Sequence, residues 1–412
     1  MSTLVVVGAV SLINTREDAG AAVVASPVDV MFVGNNWDGT ADVINAKTYA
    51  TIKRLNIIPD KAERLAEINA NPVSLGYYIA IKQLIGEGHD QYVDDMFSTH
   101  DGKLLAVSRP SFADVVGIEI STGKIVWRFK MEGQRSDHMG VSPDGTRLLV
   151  SDSTANKVHE LELLTGKKLR EFPSGDTPHE NNYTKAGDRI FHASIGRVYV
   201  PVDDTGLGPV GKIVKGEQVF QIVDNKTFKI LKKWDMGAKL AEAGYPGMSS
   251  AVRPMAVAPD ERFVYLQVSY FHGFVEFDTA GDGKVTRLAH LPLSEKAKKL
   301  NRSQYVLNSA HHGLAINPAG TKLCVAGTMS DYAAIVSRKT FAYKIFSVGE
   351  KPYWSTNGFA GKTCWVSFSG SDKVVVIDYA GEKVVKQVAV GDHPQRVRLG
   401  KVAASTVAAW KN

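Results

Sequence analysis

The sequence predicts an all-β chain folded as a β-propeller, a ring of four-stranded blades. Turns containing glycine separate pairs of short apolar strands and recur at a nearly constant spacing. Gly102 precedes Gly145 by 43 residues, Gly145 precedes Gly187 by 42, and Gly320 precedes Gly361 by 41. A period of about 40–45 residues that holds four short strands is typical of one propeller blade.

The composition is that of a globular protein and argues against membrane and nucleic-acid partners. Of 412 residues, 44% are hydrophobic and 22% are charged, and no run approaches the ~20 apolar residues of a membrane span. The formal charge of +6 is spread along the chain, and the KAKK run at 296–299 is short. We therefore expect a small-molecule substrate and neither a nucleic-acid nor a membrane partner, with the oligomeric state left open.

Each blade is recognised by strands of alternating apolar residues between turn signals. Blade 1 supplies the segments VDVMFVGNN, TADVINAK and ATIKRLNI as its outer three strands. The other blades follow in order, at about Val93–Met131, Asp137–Phe172, His179–Met236, Arg253–Leu293, His312–Val348 and Tyr353–Val390.

The segment GDHPQRVRLG (391–400) resembles the start of one more blade, but no complete blade follows it. We expect it to supply the inner strand of blade 1 and close a seven-bladed ring, because closure removes exposed sheet edges. One alternative is an eighth, composite blade, and another places the inner strand of blade 1 at Ala21–Ala25. The domain prediction is a single propeller over residues 1–412.

The long connections are all predicted on one face of the ring. The A–B and C–D turns within blades are tight, whereas the links between blades and the B–C loops share the other face. The four long segments are Pro59–Gln91, Gly237–Val252, Pro292–Ala310 and a loop near Asp203–Gly216. Loops of this length in a compact domain are usually functional.

The first long segment, residues 59–91, has helical patterning. DKAERLAEI and PVSLGYYIAIKQLIG carry apolar residues at helical spacing, with Asp60 as a helix cap and Pro72 in the first turn of a second helix. We expect a helical hairpin between blades 1 and 2 that covers the channel mouth, with a plain surface insertion as the alternative.

Several histidines begin inner strands on the repeat register, and inner strands begin on the loop-rich face. They are His138, His179, His311, His312 and His393. Other polar and aromatic residues share that level of the channel, namely Asp94, Asp95, Glu180, Arg253, Tyr353, Trp354, Gln395 and Arg396. These side chains are expected to converge beneath the long loops.

Neutral imidazoles from separate blades around one axis make a candidate transition-metal site. We expect His138, His179 and His312 as ligands of one ion of iron, copper, manganese or zinc, with Glu180 as a ligand or in support. An open position on such an ion would provide Lewis-acid or redox catalysis.

A cofactor-free site is the alternative. His138 or His179 would act as general base, Arg253 or Arg396 would hold an anionic group and Tyr353 would donate a proton, with Glu180 also placed among the catalytic residues. The predicted substrate-binding residues are Asp94, Asp95, Trp354 and Arg396. A purely structural interpretation is also open, in which the imidazoles tie blades together and the arginines pair with the carboxylates.

Two cysteines, Cys324 and Cys364, fall at strand positions of opposite parity in neighbouring blades. We expect them to be unpaired core thiols, which fits a reducing compartment. The N-terminal run MSTLVVVGAVSLIN lacks a basic flank and is interpreted as a strand rather than a signal peptide. The predicted location is cytoplasmic, with a mature secreted form whose leader has been removed as the alternative.

The repeat at 138–180, HMGVSPDGTRLLVSDSTANKVHELELLTGKKLREFPSGDTPHE, resembles the YVTN-type β-propeller repeat, and VVVIDYAGEKVVKQVAVGDHPQRV (374–397) matches it again. The resemblance covers most of residues 93–400. Proteins of this architecture include scaffold propellers, the metal-dependent streptogramin lyase, and the propeller of nitrous oxide reductase, whose copper cluster is bound by channel histidines. The chain lacks that reductase's second copper domain, so the resemblance does not imply nitrous oxide reduction.

These observations together predict an enzyme with a small-molecule site in the central channel. The expected reaction is a lyase-type elimination or a metal-assisted oxidation. The alternative is a non-catalytic propeller that binds a protein or a small ligand.

Overall fold

The computed structural model describes residues 1, 25–198 and 209–411. Within these residues, 28 strands form seven four-stranded sheets arranged as the blades of a propeller. The seven-bladed prediction is confirmed, and the alternative of an eighth blade is wrong. The alternative inner strand at Ala21–Ala25, most of the N-terminal run and part of the Asp203–Gly216 loop lie outside the described residues.

The strands are numbered in chain order, and those of blades 1 to 3 come first. Blade 1 contains β1 (Val28–Asn35), β2 (Thr40–Asn45) and β3 (Thr51–Asn56). Blade 2 contains β4 (Met96–Ser98), β5 (Leu104–Arg109), β6 (Asp114–Glu119) and β7 (Lys124–Lys130). Blade 3 contains β8 (Ser136–Val141), β9 (Arg147–Asp152), β10 (Lys157–Glu162) and β11 (Lys168–Pro173).

Blades 4 to 7 continue the same pattern, each beginning at its inner strand. Blade 4 contains β12 (Pro178–Tyr183), β13 (Arg189–Ser194), β14 (Val219–Asp224) and β15 (Ile230–Asp235). Blade 5 contains β16 (Val252–Val257), β17 (Phe263–Val268), β18 (Gly273–Asp278) and β19 (Lys284–His290). Blade 6 contains β20 (Leu314–Ile316), β21 (Lys322–Gly327), β22 (Tyr332–Ser337) and β23 (Tyr343–Phe346). Blade 7 contains β24 (Pro352–Asn357), β25 (Thr363–Phe368), β26 (Lys373–Asp378) and β27 (Lys383–Ala389).

The ring closes through β28 (Pro394–Val402), which is the inner strand of blade 1. It pairs antiparallel with β1, with Leu399 opposite Met31 and Arg398 opposite Phe32. The pairing joins the two ends of the ring and gives the edge of β1 a partner.

The buried hydrophobic residues of the described part of the chain form seven clusters, each between two successive blades. The alternation of side chains along a strand explains the division. On β21, Leu323 and Val325 pack towards blade 5, whereas Cys324 and Ala326 pack towards blade 7.

The expectation of two unpaired thiols is wrong, because Cys324 and Cys364 form a disulfide between blades 6 and 7. Successive sheets pack with the front of one against the back of the next. Residues of opposite parity on β21 and β25 therefore face the same space between blades, which brings the two sulfur atoms together. The argument from two thiols for a reducing compartment no longer holds.

The insertion between blades 1 and 2 is helical, as expected. It contains α1 (Lys61–Asn69) and α2 (Pro72–Ala80), and α2 continues into a wider turn at Ile81–Ile85. Asp60 occupies the cap position of α1 without making a side-chain cap bond. Its carboxylate instead accepts from the fully buried Arg109 of β5 at 2.5 and 3.0 Å, which anchors the insertion to blade 2.

Other helical segments are short. They are α3 (Pro209–Lys215), α4 (Met236–Glu242), α5 (Ala404–Ala409) and single turns at Pro110–Phe112, Ala297–Lys299, Arg302–Gln304, Val306–Asn308, Thr328–Ser330, Phe359–Gly361 and Ser369–Ser371. None of the described helices is long and apolar enough to cross a membrane.

Candidate functional site

Backbone bulges mark the point where the inner strands reach the channel centre. In β8, β12, β16 and β24 the pairing register shifts near the start of the strand, leaving extra residues out of the ladder. The closing strand β28 has the same irregularity between Pro394 and Val397. Bulges re-aim side chains and are frequent beside active sites. The displaced residues include His138, His179, Arg253, Tyr353 and Arg396.

His138, His179 and His312 converge on the axis from three blades. Ring centroids are 3.7 Å apart for His138 and His179, 6.0 Å for His138 and His312, and 5.8 Å for His179 and His312. One nitrogen from each ring lies within 4.8 Å of the other two, and all three side chains are buried. The structure thus assembles the three residues that the sequence singled out.

Neighbouring groups orient two of these rings. Nδ1 of His138 lies 2.7 Å from a carboxylate oxygen of Glu180, and Nδ1 of His312 lies 3.3 Å from the carbonyl oxygen of Tyr353. The Tyr353 ring also stacks on His312 at 4.0 Å. Within the described part of the chain, neither Nε2 of His312 nor Nδ1 of His179 has a hydrogen-bond partner.

The histidines are held in the neutral form. Burial lowers the pKa of His138, His179 and His312 well below 6.5, and nearby Arg396 lowers it further. A neutral imidazole keeps a lone pair that can accept a proton or bind a metal ion. All three rings are therefore in a ligand-competent state at neutral pH.

Arg396, brought by the closing strand, lies against the histidine cluster. One of its terminal nitrogens contacts Nε2 of His138, and another contact, at 3.2 Å, reaches Asp94. The guanidinium also covers the ring of Trp354 at 4.1 Å. Burial opposes the charged form, but Asp94 and Asp95 together raise the pKa of Arg396, so it stays cationic.

Two buried carboxyl groups at the centre titrate near neutrality. Burial raises the pKa of Asp94 to about 6 and that of Glu180 to about 7. Oδ2 of Asp94 has no hydrogen-bond partner among the described residues. A carboxyl group with a pKa close to the working pH and a free oxygen suits general acid–base chemistry.

Charges balance around the channel centre. Four carboxyl groups and four guanidinium groups interact electrostatically there, from Asp94, Asp95, Asp137, Glu180, Arg135, Arg253, Arg396 and Arg398. Among the described residues Arg253 donates to Ser269 at 3.1 Å, and burial lowers the pKa of Arg253 to about 10. Burial likewise raises the pKa of Tyr353 to about 12, so its phenol is protonated.

The other residues predicted for the site differ in where they lie. Asp95 is fully occupied by Arg398 at 2.8 and 2.7 Å and by two backbone amides, so it supports the closing strand. His311 points away from the cluster towards the hydroxyl of Tyr332 at 3.1 Å. His393 stacks on Trp37 outside the cluster.

Sequence reasoning missed Arg135, Asp137 and Gln91, which line the same small cavity as His138 and His179. The carboxylate of Asp137 accepts from Arg135 at 2.6 Å and from Ser153 at 2.8 Å. The available signal was the pair Asp137-His138, which stands at the same register as Asp94-Asp95 in blade 2.

Apolar side chains from three of the long segments cover the site on the loop-rich face. They are Ile85 from the insertion, Ile195 and Val198 from the blade 4 loop, and Leu307 from the link between blades 5 and 6. We call these four residues the cap. The cavity beneath it has a volume of ≈ 10 Å³, which is about the room for one water molecule.

Comparison with known proteins identifies the fold of this chain and nothing beyond it. No family profile and no curated protein matches the chain. Among solved structures, hydrazine synthase from Kuenenia stuttgartiensis is similar, with a TM-score of 0.57 and 14% identity over 89% of this chain and 99% of that one. At this identity the likeness shows a shared seven-bladed β-propeller.

Proposed function

We propose that the channel centre binds one transition-metal ion through His138, His179 and His312 and that the protein is an enzyme acting on a small molecule. The observation that carries this proposal is the meeting of three buried, neutral imidazoles whose ligand nitrogens lie within 4.8 Å. A tetrahedral ion with bonds of about 2.1 Å needs nitrogens roughly 3.4 Å apart, so small ring rotations complete the site.

The groups behind the histidines support this role. Glu180 holds His138 and a backbone carbonyl holds His312, each through Nδ1, which leaves Nε2 for the ion. Carboxylate or carbonyl support of this kind fixes the tautomer of metal-binding histidines. Arg396 must swing away from His138, and its neighbour Asp94, which has an unpartnered carboxylate oxygen among the described residues, can receive it.

Of the two predicted reactions, elimination fits the site better than oxidation. Asp94 would take the proton from a C–H bond as a C=C bond forms and the bond to the leaving group breaks. Tyr353, whose phenol is protonated, would give its proton to the departing group. Arg253 would hold an anionic part of the substrate, and a bound ion would polarise a substrate carbonyl.

Substrate binding requires the cap to move. A cavity of ≈ 10 Å³ cannot hold an organic substrate. The cap residues come from separate loops, so displacement of one loop opens the site without unfolding a blade. Closure over the substrate would then exclude water from the buried charges.

One observation favours the non-catalytic alternative. Arg396 contacts the nitrogen of His138 that an ion would use, and the surrounding charges cancel. On that interpretation the histidines and arginines join blades, and the propeller binds a ligand elsewhere. We also infer that the repeat is of the YVTN type and that the disulfide supports an oxidising compartment.

Metal analysis separates the two functions. Tag-free protein is reconstituted with Zn²⁺, Mn²⁺, Fe²⁺ or Cu²⁺ and analysed by mass spectrometry beside His138→Ala, His179→Ala and His312→Ala. We expect near-stoichiometric metal in the wild type and loss of the metal in each folded variant, because removing a direct ligand costs more than the roughly 10–100-fold that loss of an outer-shell partner costs.

His311→Ala is the matched control, since His311 is equally buried and adjacent in sequence but points away from the cluster. It is expected to keep the metal. No bound metal after reconstitution, or equal loss in His311→Ala, would overturn the metal-site proposal and leave the binding propeller.

A further inference from the structure

A second, larger cavity occupies the other half of the channel. Its volume is ≈ 300 Å³, and it is lined by the later residues of the inner strands of blades 4 to 7 together with Arg398. Lys185 and Glu261, from the tight A–B turns of blades 4 and 5, stand at its mouth. It therefore opens on the face opposite the cap, and we call it the lower cavity.

The lower cavity is separate from the histidine cluster. Glu180 and Trp354 form its deep end and also contact His138, at 2.7 Å between polar atoms and 5.6 Å between ring centroids. His138, His179 and His312 do not line the lower cavity. The channel thus contains two compartments with a shared partition.

The charged groups of the lower cavity already have partners. Arg398 is bound to Asp95 through two hydrogen bonds, and Nζ of Lys185 donates to the carbonyl oxygen of Pro259 at 3.0 Å. Glu261 accepts from the backbone amide of Lys185 at 2.6 Å. Arg398 and Glu261 are in ion pairs, whereas the ammonium of Lys185 is bonded to an uncharged carbonyl at the mouth. The deeper part of the cavity therefore offers no free counter-charge and favours an uncharged ligand.

Two buried polar groups of the lining have no partner among the described residues, Nε1 of Trp354 and Oγ of Ser355. Both side chains are at most 3% exposed, and both belong to β24. A buried donor without an acceptor is costly, and a ligand oxygen would satisfy it. The neighbouring part of the lining is apolar, with Met255 from blade 5 and Leu314 and Ile316 from blade 6.

We propose that the lower cavity is a binding site for a compact, uncharged molecule with a hydrogen-bond-accepting oxygen on an apolar frame, such as a primary amide or an alcohol. The oxygen would accept from Ser355 or from Trp354, whose side chains leave β24 on opposite sides, after a small rotation of the side chain towards the cavity, and the frame would contact the apolar part of the lining. A volume of ≈ 300 Å³ is at the lower end of ligand pockets, which sets the size class.

Three probes of one shape and different charge test the proposal: benzamide, benzoate and benzylamine. Binding is measured by saturation-transfer NMR titration of the full chain without added metal. We expect benzamide to bind saturably with Kd of about 1 mM and the two ions to bind at least tenfold more weakly. Equal binding of all three, or no benzamide binding at millimolar concentration, overturns the proposal.

Two variants locate the binding. Ser355→Ala removes an unpartnered hydroxyl, so the fold is kept while benzamide binding weakens about fivefold. Ala315→Leu fills the cavity and is expected to abolish binding, whereas Ala62→Leu, on the exposed surface of α1, leaves it unchanged. Binding that persists unchanged in both cavity variants refutes the site.

The outcome is independent of the metal proposal. His312→Ala is expected to lose metal and keep benzamide binding, because His312 does not line the lower cavity. Ser355→Ala should do the reverse: it should keep the metal and bind benzamide more weakly. Because each variant affects one site, failure of the metal proposal can be distinguished from failure of the lower-cavity proposal.

Discussion

Reduction of the Cys324–Cys364 disulfide is expected to lower the melting temperature by about 5 °C. The bridge joins residues 40 apart in sequence. Chain-entropy theory assigns a loop of this size about 4 kcal/mol of stabilisation through the unfolded state. With an unfolding entropy of ~2.1 cal/mol/K per residue over roughly 400 residues, 1 kcal/mol corresponds to about 1.2 °C in Tm.

The assay is differential scanning calorimetry with and without a phosphine reductant, on the wild type and on Cys324→Ala/Cys364→Ala. The double variant is expected to melt near the reduced wild type and to ignore the reductant. Titration of thiols in denaturant should find free thiols only after reduction. Two free thiols in the unreduced protein, or no change in Tm on reduction, would refute the reasoning.

Three further predictions concern acid, the insertion and ring closure. Below pH 6.5 the free energy of unfolding should fall by roughly 5 kcal/mol per pH unit, because the unfolded chain binds about four more protons than the folded one at pH 5.5. Urea midpoints at pH 7.5, 6.5 and 5.5 measure this fall. Histidines with lowered pKa values bind protons only when unfolded, and carboxyls with raised pKa values, chiefly three fully buried ones, oppose them. The groups are His138, His179, His192, His272, His311, His312 and His393, against Asp94, Asp114 and Glu180. Asp60→Asn should speed hydrogen exchange of α1 and α2, since it weakens a contact to the buried Arg109, whereas Glu63→Gln on the exposed face should not. Arg398→Met should destabilise by about 3 kcal/mol in urea unfolding, and the more exposed Lys401→Met by less than about 1; equal effects would contradict the role of Arg398 in closure.

The fold was predictable because its signals are local. Each turn glycine and each apolar alternation is encoded within a few residues, and closure followed from counting strands. The disulfide between Cys324 and Cys364 was missed because strand positions of opposite parity were expected to point to different sides of their sheets. The front-to-back packing of successive blades turns opposite parity into contact, and that relation exists only between sheets.

The candidate site was predictable only in part. The repeat register located His138, His179 and His312, because each stands at the start of an inner strand. The register could not tell His311 from His312, since their orientation is set by how each inner strand meets its neighbour. Arg135 and Gln91 reach the cavity because the backbone around them bulges or forms a loop. A periodic sequence pattern does not predict such local displacements of the backbone.

Closure by β28 has a consequence for biosynthesis. Residues near 30 pair with residues near 400, so the ring can close only after the residues near 400 have left the ribosome. Arg396 and Arg398 arrive with that strand and complete the ion pairs of Asp94 and Asp95. A nascent chain, or one truncated before β28, would therefore keep these acids without their arginine partners.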